Sequence, residues 1–83
     1  MKLVFHGKLS AVAGSSEIAI ACPPGVTTLS DLRAWVTASM PNMAGAFNRS
    51  HVATIVNMDI VRDSQHPITD EDEIAFLPPM SGG

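Results

Sequence analysis

The sequence is short of basic residues, of cysteine and of long apolar runs, and each shortage excludes a class of protein. Five Lys and Arg stand against eight Asp and Glu, giving a net charge of −3, so binding to nucleic acid or an anionic membrane is not expected. The single cysteine, Cys22, cannot form an intrachain disulfide. No apolar run reaches the length of a transmembrane helix, and residues 1–5 lack the features of a signal peptide. We therefore expect a cytoplasmic protein that does not contact a membrane.

The length of the chain limits what it can do alone. It has 83 residues, the size of one small domain, and its content of 46% hydrophobic and 16% charged residues is that of a folded protein. A domain this small has little room for a deep active-site cavity. We therefore expect a module that works with a larger partner rather than a self-sufficient enzyme.

Alternating apolar residues predict two N-terminal strands. Met1 to Leu9 alternates with the period of a sheet, and Glu17 to Cys22 does so again. Gly14-Ser15-Ser16 between them is a turn signal. Pro23-Pro24-Gly25 ends the second strand, because proline cannot donate to a strand ladder. The two segments are therefore predicted to form a hairpin.

A single segment has the pattern of an amphipathic helix, from Thr27 to Met40. Thr28 is a suitable N-cap, with Asp31 three residues later in a near match to a capping box. Pro41 ends the helix. Trp35 lies at the margin of the apolar stripe and is expected to be partly exposed. The stripe itself consists of Leu29, Leu32, Val36 and Met40.

The C-terminal half predicts further strands. Residues 51–57 are nearly continuously apolar, which is typical of a strand buried on both faces. Residues 42–50 are ambiguous, with room for a short helical turn around residues 44–47. The remaining predicted elements are a turn at Met58-Asp59, a short strand at Ile60-Val61, an acidic loop at residues 70–73 and a last strand at Glu73 to Leu77. The order predicts an α+β domain in which a mixed sheet packs on one main helix.

The end of the sequence carries the feature that predicts a function. Pro78-Pro79 stops the last strand and holds the chain extended, and Met80-Ser81-Gly82-Gly83 follows. Glycines without side chains suit a flexible tail that threads a narrow channel in a partner, and the chemistry then falls on the terminal carboxylate of Gly83. Adenylation by ATP would activate that carboxylate, and a sulfur nucleophile would convert it to a thiocarboxylate. An inert terminus is the alternative, but the two prolines before the glycines favour a functional tail.

Side chains beside the tail predict a docking patch. Phe76 is assigned to the core, and strand alternation then places Leu77 on the opposite face. Leu77 and Met80 are expected to form an apolar patch around the tail. The acidic loop at residues 70–73 is interpreted as a solvated charged turn, and the functional alternative is that its charges steer the tail toward a basic partner. The predicted docking residues are Leu77, Pro78 and Pro79.

Other reactive side chains point to no second site. Cys22 ends an apolar strand, where a buried and inert thiol is expected. His6, His51 and His66 show no short metal-ligand spacing, and there is no second cysteine. We therefore predict no metal site and no bound cofactor.

Two stretches of the chain resemble the small subunit of molybdopterin synthase, the MoaD-like family of ubiquitin-like sulfur carriers. They are residues 2–9 with Gly14, and residues 68–83 with Val56-Asn57. The resemblance implies one β-grasp domain over residues 1–83, with residues 78–83 as an extended functional tail. It also implies that Gly83 is adenylated and thiocarboxylated. The residues expected to thread the tail into the partner are Gly82, Ser81 and Met80.

The resemblance also implies the partners. A ubiquitin-activating-type enzyme would use ATP to adenylate Gly83, and a sulfur donor would supply sulfur from a persulfide. The large subunit of molybdopterin synthase would receive the tail, so the chain is a cosubstrate and is not catalytic alone. The chain departs from the family pattern at Glu71, where glycine is usual, and at Ser10-Ala11, where an Arg and an acidic residue are frequent. Three alternatives stay open: another sulfur pathway (thiazole, cysteine or tRNA thiolation), a ubiquitin-like protein modifier, and an interaction domain with an inert tail.

Overall fold

Five strands and three helices make up the part of the chain that the computed structural model describes, residues 1–49 and 52–78. In chain order they are β1 (Lys2–Phe5), α1 (Lys8–Ala13), β2 (Glu17–Ala19), α2 (Leu29–Ser39), α3 (Pro41–Arg49), β3 (Ala53–Val56), β4 (Asp59–Val61) and β5 (Glu73–Leu77). None of the described helices is long and apolar enough to span a membrane.

The strands form one mixed sheet in the order β2-β1-β5-β3-β4. β1 and β5 run parallel, whereas the other neighbouring pairs are antiparallel. β5, the last strand along the chain, therefore lies at the centre of the sheet with a partner on each side. The predicted combination of a mixed sheet with one main helix is confirmed.

The apolar stripe of α2 packs over one face of the sheet, as predicted. Its capping box is formed, because Asp31 N donates to the Thr28 hydroxyl at 3.2 Å and the Asp31 carboxylate accepts from Thr28 N at 3.2 Å. Met40 and Trp35 are half-buried at the edge of the core. The fully enclosed core residues of this layer are Leu3, Phe5, Leu29, Leu32, Val36, Ile74 and Phe76.

The prediction of one strand from Met1 to Leu9 is wrong beyond Phe5. Gly7 has a φ of +57° and turns the chain into α1, which buries Leu9 completely. Gly14, at a φ of +81°, then ends α1 in the left-handed region, where glycine carries no Cβ penalty. β1 and β2 pair antiparallel as expected, but a short helix and not a tight hairpin joins them.

Pro41 does end α2, but it also begins α3. Proline suits the first position of a helix, where its missing N–H would have no partner in any case. α3 covers Pro41–Arg49 and buries Met43 and Phe47. The Phe47 ring also lies beneath the guanidinium of Arg33 on α2, 4.7 Å from ring centroid to guanidinium carbon. The predicted short helical turn around residues 44–47 is therefore shorter than the helix found there.

The apolar run before Asn57 is not buried on both faces. Thr54 and Val56 point into the core, whereas Ala53 is exposed. The turn that follows is centred on Asn57 and Met58, which have φ values of +50° and +77°, one residue earlier than predicted. Asn57 suits this conformation because asparagine tolerates the left-handed region better than most residues. His51 lies outside the described residues.

Candidate functional site

The strand that leads into the tail is the central strand of the sheet. β5 pairs with β1 from Glu73 to Phe76 and with β3 from Ile74 to Leu77. Phe76 is fully buried and stacks on Phe5, with ring centroids 5.5 Å apart; its ring also meets that of Phe47 at 5.3 Å. The first pair is stacked, with an interplanar angle of 23°, and the second is tilted at 45°; aromatic contacts of this kind add to the stability gained from burial. The chain therefore enters the tail from a rigid support.

The base of the tail lies beside the end of β1. Because β1 and β5 are parallel, both end at the same edge of the sheet. His6 N continues the pairing by donating to Phe76 O at 3.1 Å. Leu77 and Pro78 are half-buried, with Leu77 opposite Ala53 of β3 and Pro78 against Gly7. The first two predicted docking residues are thus part of a defined surface.

The sheet face opposite α2 is apolar on the side from which the tail leaves. Val4, Ala75, Ile55 and Ile60 are register partners in one row across four strands. Leu77 and Ala53 form the next row toward the tail. Ile60 is 64% exposed, a large value for an aliphatic side chain. We call these six residues the outer patch.

The same sheet face is charged at its other end, where Lys2 pairs with Glu73, and along β2, where Glu17 lies opposite Val4. Lys2 Nζ lies 3.2 Å from Glu17 Oε1 and 3.5 Å from Glu73 Oε1. Both carboxylates raise the pKa of Lys2, with Glu17 contributing most. Exposed ion pairs of this kind add little stability, but they keep this end of the sheet solvated. The apolar part of the face therefore covers β1, β5, β3 and β4 toward the base of the tail, and it is bordered by Glu17 on β2.

The acidic loop lies at the end of β5 away from Pro78, the base of the tail, and its steering role stays a prediction. Asp72 immediately precedes β5, whereas Pro78 follows it. At about 3.3 Å per strand residue, the two are on the order of 15–20 Å apart. Hydrogen bonds from the Asn57 amide (2.8 Å) and the Thr69 N–H (2.8 Å) hold the pKa of Asp72 below its ordinary value. This carboxylate stabilises the fold at the opposite end of the strand.

Cys22 is half-buried rather than fully buried. Its thiol donates to Val26 O at 3.4 Å, and its backbone N–H donates to Asp70 Oδ1 at 2.6 Å. The second contact, followed by the charge of the N-terminus, lowers the pKa of Asp70. Within the described part of the chain, no group of three or more His, Cys, Asp or Glu side chains is arranged to hold a metal ion.

The structure describes only some of the predicted site residues, because its description ends at Pro78. Leu77 and Pro78 are in place at the base of the tail, and their docking role stays a prediction. Pro79, Met80, Ser81, Gly82 and Gly83 lie outside the described residues. The outer patch was missed because it is assembled from four strands. Its only signal in the sequence was the continuous apolar run in β3, which was interpreted as a fully buried strand.

Comparison with known proteins assigns the family. The family model described as ThiS family matches residues 3–83. The molybdopterin synthase sulfur carrier subunit of Escherichia coli (strain K12) is 30% identical over 83 residues, which cover 100% of this chain and 99% of that protein. The chain belongs to the ThiS family. This match confirms the predicted resemblance to ubiquitin-like sulfur carriers.

Solved structures agree on the fold of this ThiS-family protein. A candidate molybdopterin converting factor, subunit 1, from Pyrococcus furiosus superposes with a TM-score of 0.78 at 20% identity, covering 95% of each chain. The small archaeal modifier protein 1 (SAMP1) of Methanosarcina acetivorans gives a TM-score of 0.77 at 23% identity, covering 99% of this chain and 94% of that one. At these identities the likeness concerns the fold, and the predicted β-grasp is confirmed.

Proposed function

We propose that this chain is a sulfur carrier whose Gly83 carboxylate becomes a thiocarboxylate that donates sulfur for molybdopterin synthesis. The observation that carries the proposal is the full-length match to the ThiS family, which extends through Gly82-Gly83. The molybdopterin pathway is taken from the name of the Escherichia coli relative. The position of β5 supports the proposal, because a central strand is a firm base for a tail that must be presented to other proteins.

The proposed chemistry activates a poor acyl donor. A carboxylate oxygen of Gly83 attacks the α-phosphorus of ATP on an adenylating enzyme of the ubiquitin-activating type, and pyrophosphate leaves. A persulfide on the sulfur donor then attacks the carbonyl carbon, and AMP leaves. A thiol cleaves the S–S bond of the resulting acyl disulfide, which frees the thiocarboxylate and leaves a disulfide on the donor. Because these reaction steps consume ATP, we propose that the protein acts in the cytoplasm.

The chain's own part in this chemistry is to be recognised and to present the tail. A short tail offers few contacts, and ordering it on a partner costs free energy. A rigid apolar surface beside the tail compensates for that cost. The outer patch, with Leu77 and Pro78 at its tail edge, is the surface that we propose for docking to the large subunit of molybdopterin synthase. Pro79 and Met80 would extend the contact along the tail.

The test of the proposal uses the end of the chain. Deleting Gly83, or adding one residue after it, should abolish thiocarboxylate formation while the free energy of unfolding is unchanged, because the change lies beyond β5. Intact-mass analysis of chain isolated from its own cells measures the product directly as the exchange of one oxygen for one sulfur. A chain with an unprocessed extension that still acquires and transfers sulfur would disprove the role of the Gly83 carboxylate.

A protein modifier remains the second candidate, since one of the structural neighbours is named a modifier protein. A modifier shares the adenylation step, but a lysine amine then attacks Gly83 and forms an isopeptide bond. The two functions differ in their products. A ladder of covalent conjugates on a denaturing gel, lost when Gly83 is deleted, would identify a modifier. Thiocarboxylated chain without conjugates would identify a carrier.

A further inference from the structure

Gly7 has a backbone conformation that suits no other residue well, and it lies against the base of the tail. Its φ is +57° and its ψ is −136°, a region in which a side chain is strained. A Cβ placed on Gly7 would be 3.1 Å from Pro78 Cγ and 3.7 Å from Pro78 Cδ. The first distance is shorter than ordinary van der Waals contact. The glycine therefore admits the Pro78 ring where any other residue would push against it.

The loop that carries Gly7 is held in place on both sides. His6 N donates to Phe76 O at 3.1 Å, which ties the loop to β5 two residues before Pro78. The Gly7 carbonyl accepts two hydrogen bonds from Ser10, at 3.1 Å from the backbone N–H and at 2.8 Å from the hydroxyl. A loop fixed in this way cannot easily retreat from an added methyl group. Pro78 would move instead, because it lies after the last residue of β5 and is not held by strand pairing.

We propose that Gly7 is a positioning residue that sets the direction in which the tail leaves the domain. The Pro78 ring rests on Gly7, and the rigid φ of proline passes this placement on to the residues that follow. Gly7 touches no reacting group and acts only through Pro78. This inference rests on the proposed function. The direction of the tail matters only if Gly83 must reach a reactive centre in another protein.

The test is a double-mutant cycle between Gly7 and Pro78, built from Gly7→Ala, Pro78→Ala and the double variant. The strain of alanine at a positive φ is the same in both backgrounds, so the cycle isolates the contact with the proline ring. Gly14→Ala is the matched control: Gly14 also has a positive φ (+81°), but an added Cβ would meet nothing within 4 Å.

The functional readout is ATP–pyrophosphate exchange with the adenylating enzyme. Gly7→Ala should lower kcat by about ten- to hundredfold, because small misplacements of a reacting group have effects of that size. KM should change little, because the substitution adds one methyl group beneath Pro78 and leaves the rest of the domain surface unchanged. With alanine at position 78 the same change should have little further effect, and Gly14→Ala should leave the exchange unchanged. An equal loss from Gly7→Ala in both backgrounds, or no loss in either, would overturn the proposal.

A second readout does not depend on the proposed function. In the free chain, Gly7→Ala should change the residual dipolar couplings of the amides of residues 80–83 but not those of β5; unchanged couplings would overturn the proposal. Changed couplings together with a wild-type chain that supports no exchange would refute the proposed function and leave the positioning role standing. If Gly7→Ala does not fold, Pro78→Ala alone carries the test. It removes the ring and adds no strain at Gly7, so unchanged kcat would overturn the proposal.

Discussion

At the scale of single residues, Asn57 joins two loops that are 15 positions apart in the sequence. Its side-chain amide donates to Asp72 Oδ1 at 2.8 Å and accepts from Glu73 N at 3.0 Å, while its own N–H donates to Glu73 O at 2.9 Å. Asp72 uses its second oxygen to accept from Thr69 N at 2.8 Å. The Asn57 side chain thus links the turn before β4 to the start of β5 by hydrogen bonds.

This network predicts how acid affects the stability of the fold. Hydrogen bonds from Asn57 and then Thr69 place the folded-state pKa of Asp72 below its ordinary value of 3.8. A carboxyl with a lowered folded-state pKa contributes stability above its unfolded-state pKa, and this contribution is lost as the pH falls through the folded-state pKa. Asp72→Asn should therefore flatten the dependence of the unfolding free energy on pH below about 4.

Denaturant unfolding at several pH values measures the effect. Asp59→Asn removes the same charge from an exposed position on the edge strand β4 and serves as the matched control for the loss of one negative charge. An Asp72→Asn variant that loses stability with falling pH as steeply as the wild type would show that other carboxylates dominate. Asp31 is the first of these to examine, since hydrogen bonds from Thr27 lower its pKa as well.

At the scale of elements, the sequence predicts a helix whose apolar residues recur over several turns, but it does not predict a short helix whose start depends on one glycine or proline. α2 has three turns of apolar periodicity and a capping pair, so both its face and its start could be predicted. α1 has six residues and one fully buried side chain, Leu9, and it exists because Gly7 turns the chain. α3 was shortened because Pro41 was interpreted only as a stop, although proline is equally suited to begin a helix.

The packing of α2 predicts a large difference between two positions on the same helix. Leu32 is fully buried beneath the sheet, whereas Ser30 is exposed. Leu32→Ala should lower the free energy of unfolding by about 2–5 kcal/mol, much of the stability expected of so small a domain. Ser30→Ala should change it by no more than about 0.5 kcal/mol. Denaturant midpoints measure both, and an unmoved midpoint for Leu32→Ala would mean that the helix buries a different face.

At the scale of the whole molecule, the parallel pairing of β1 and β5 separates the two ends of the sheet. Lys2 and the hydrogen-bonded loop around Asp72 lie where β5 begins, whereas the outer patch runs from the middle of β5 to its end, where Leu77 and the base of the tail lie. The sequence allows a chemistry to be proposed for the tail because the tail is one continuous segment, and that chemistry stays a prediction. The outer patch could not, because strands distant in the chain supply its members and the register that aligns them is a property of the folded sheet.

The outer patch predicts which surface substitutions weaken binding to the large subunit. Leu77→Asp and Ile60→Asp each put a carboxylate into a surface that docking would desolvate, and a buried charge without a partner is costly. Each should weaken the affinity by about tenfold or more, as expected for the loss of an apolar contact residue at an interface. The two positions test different parts of the patch, since Leu77 adjoins the tail whereas Ile60 lies on the edge strand.

The control for this prediction is Ala34→Asp, which adds the same charge to an exposed position on α2, away from the sheet. It should leave the affinity unchanged, so that a general effect of negative charge on association is separated from a local one. The measurement is a calorimetric titration of each folded variant against the large subunit. A loss for Leu77→Asp alone would restrict docking to the base of the tail. Wild-type affinity for both patch variants would show that the partner binds a different face, because a carboxylate at the centre of the true interface could not be accommodated without loss.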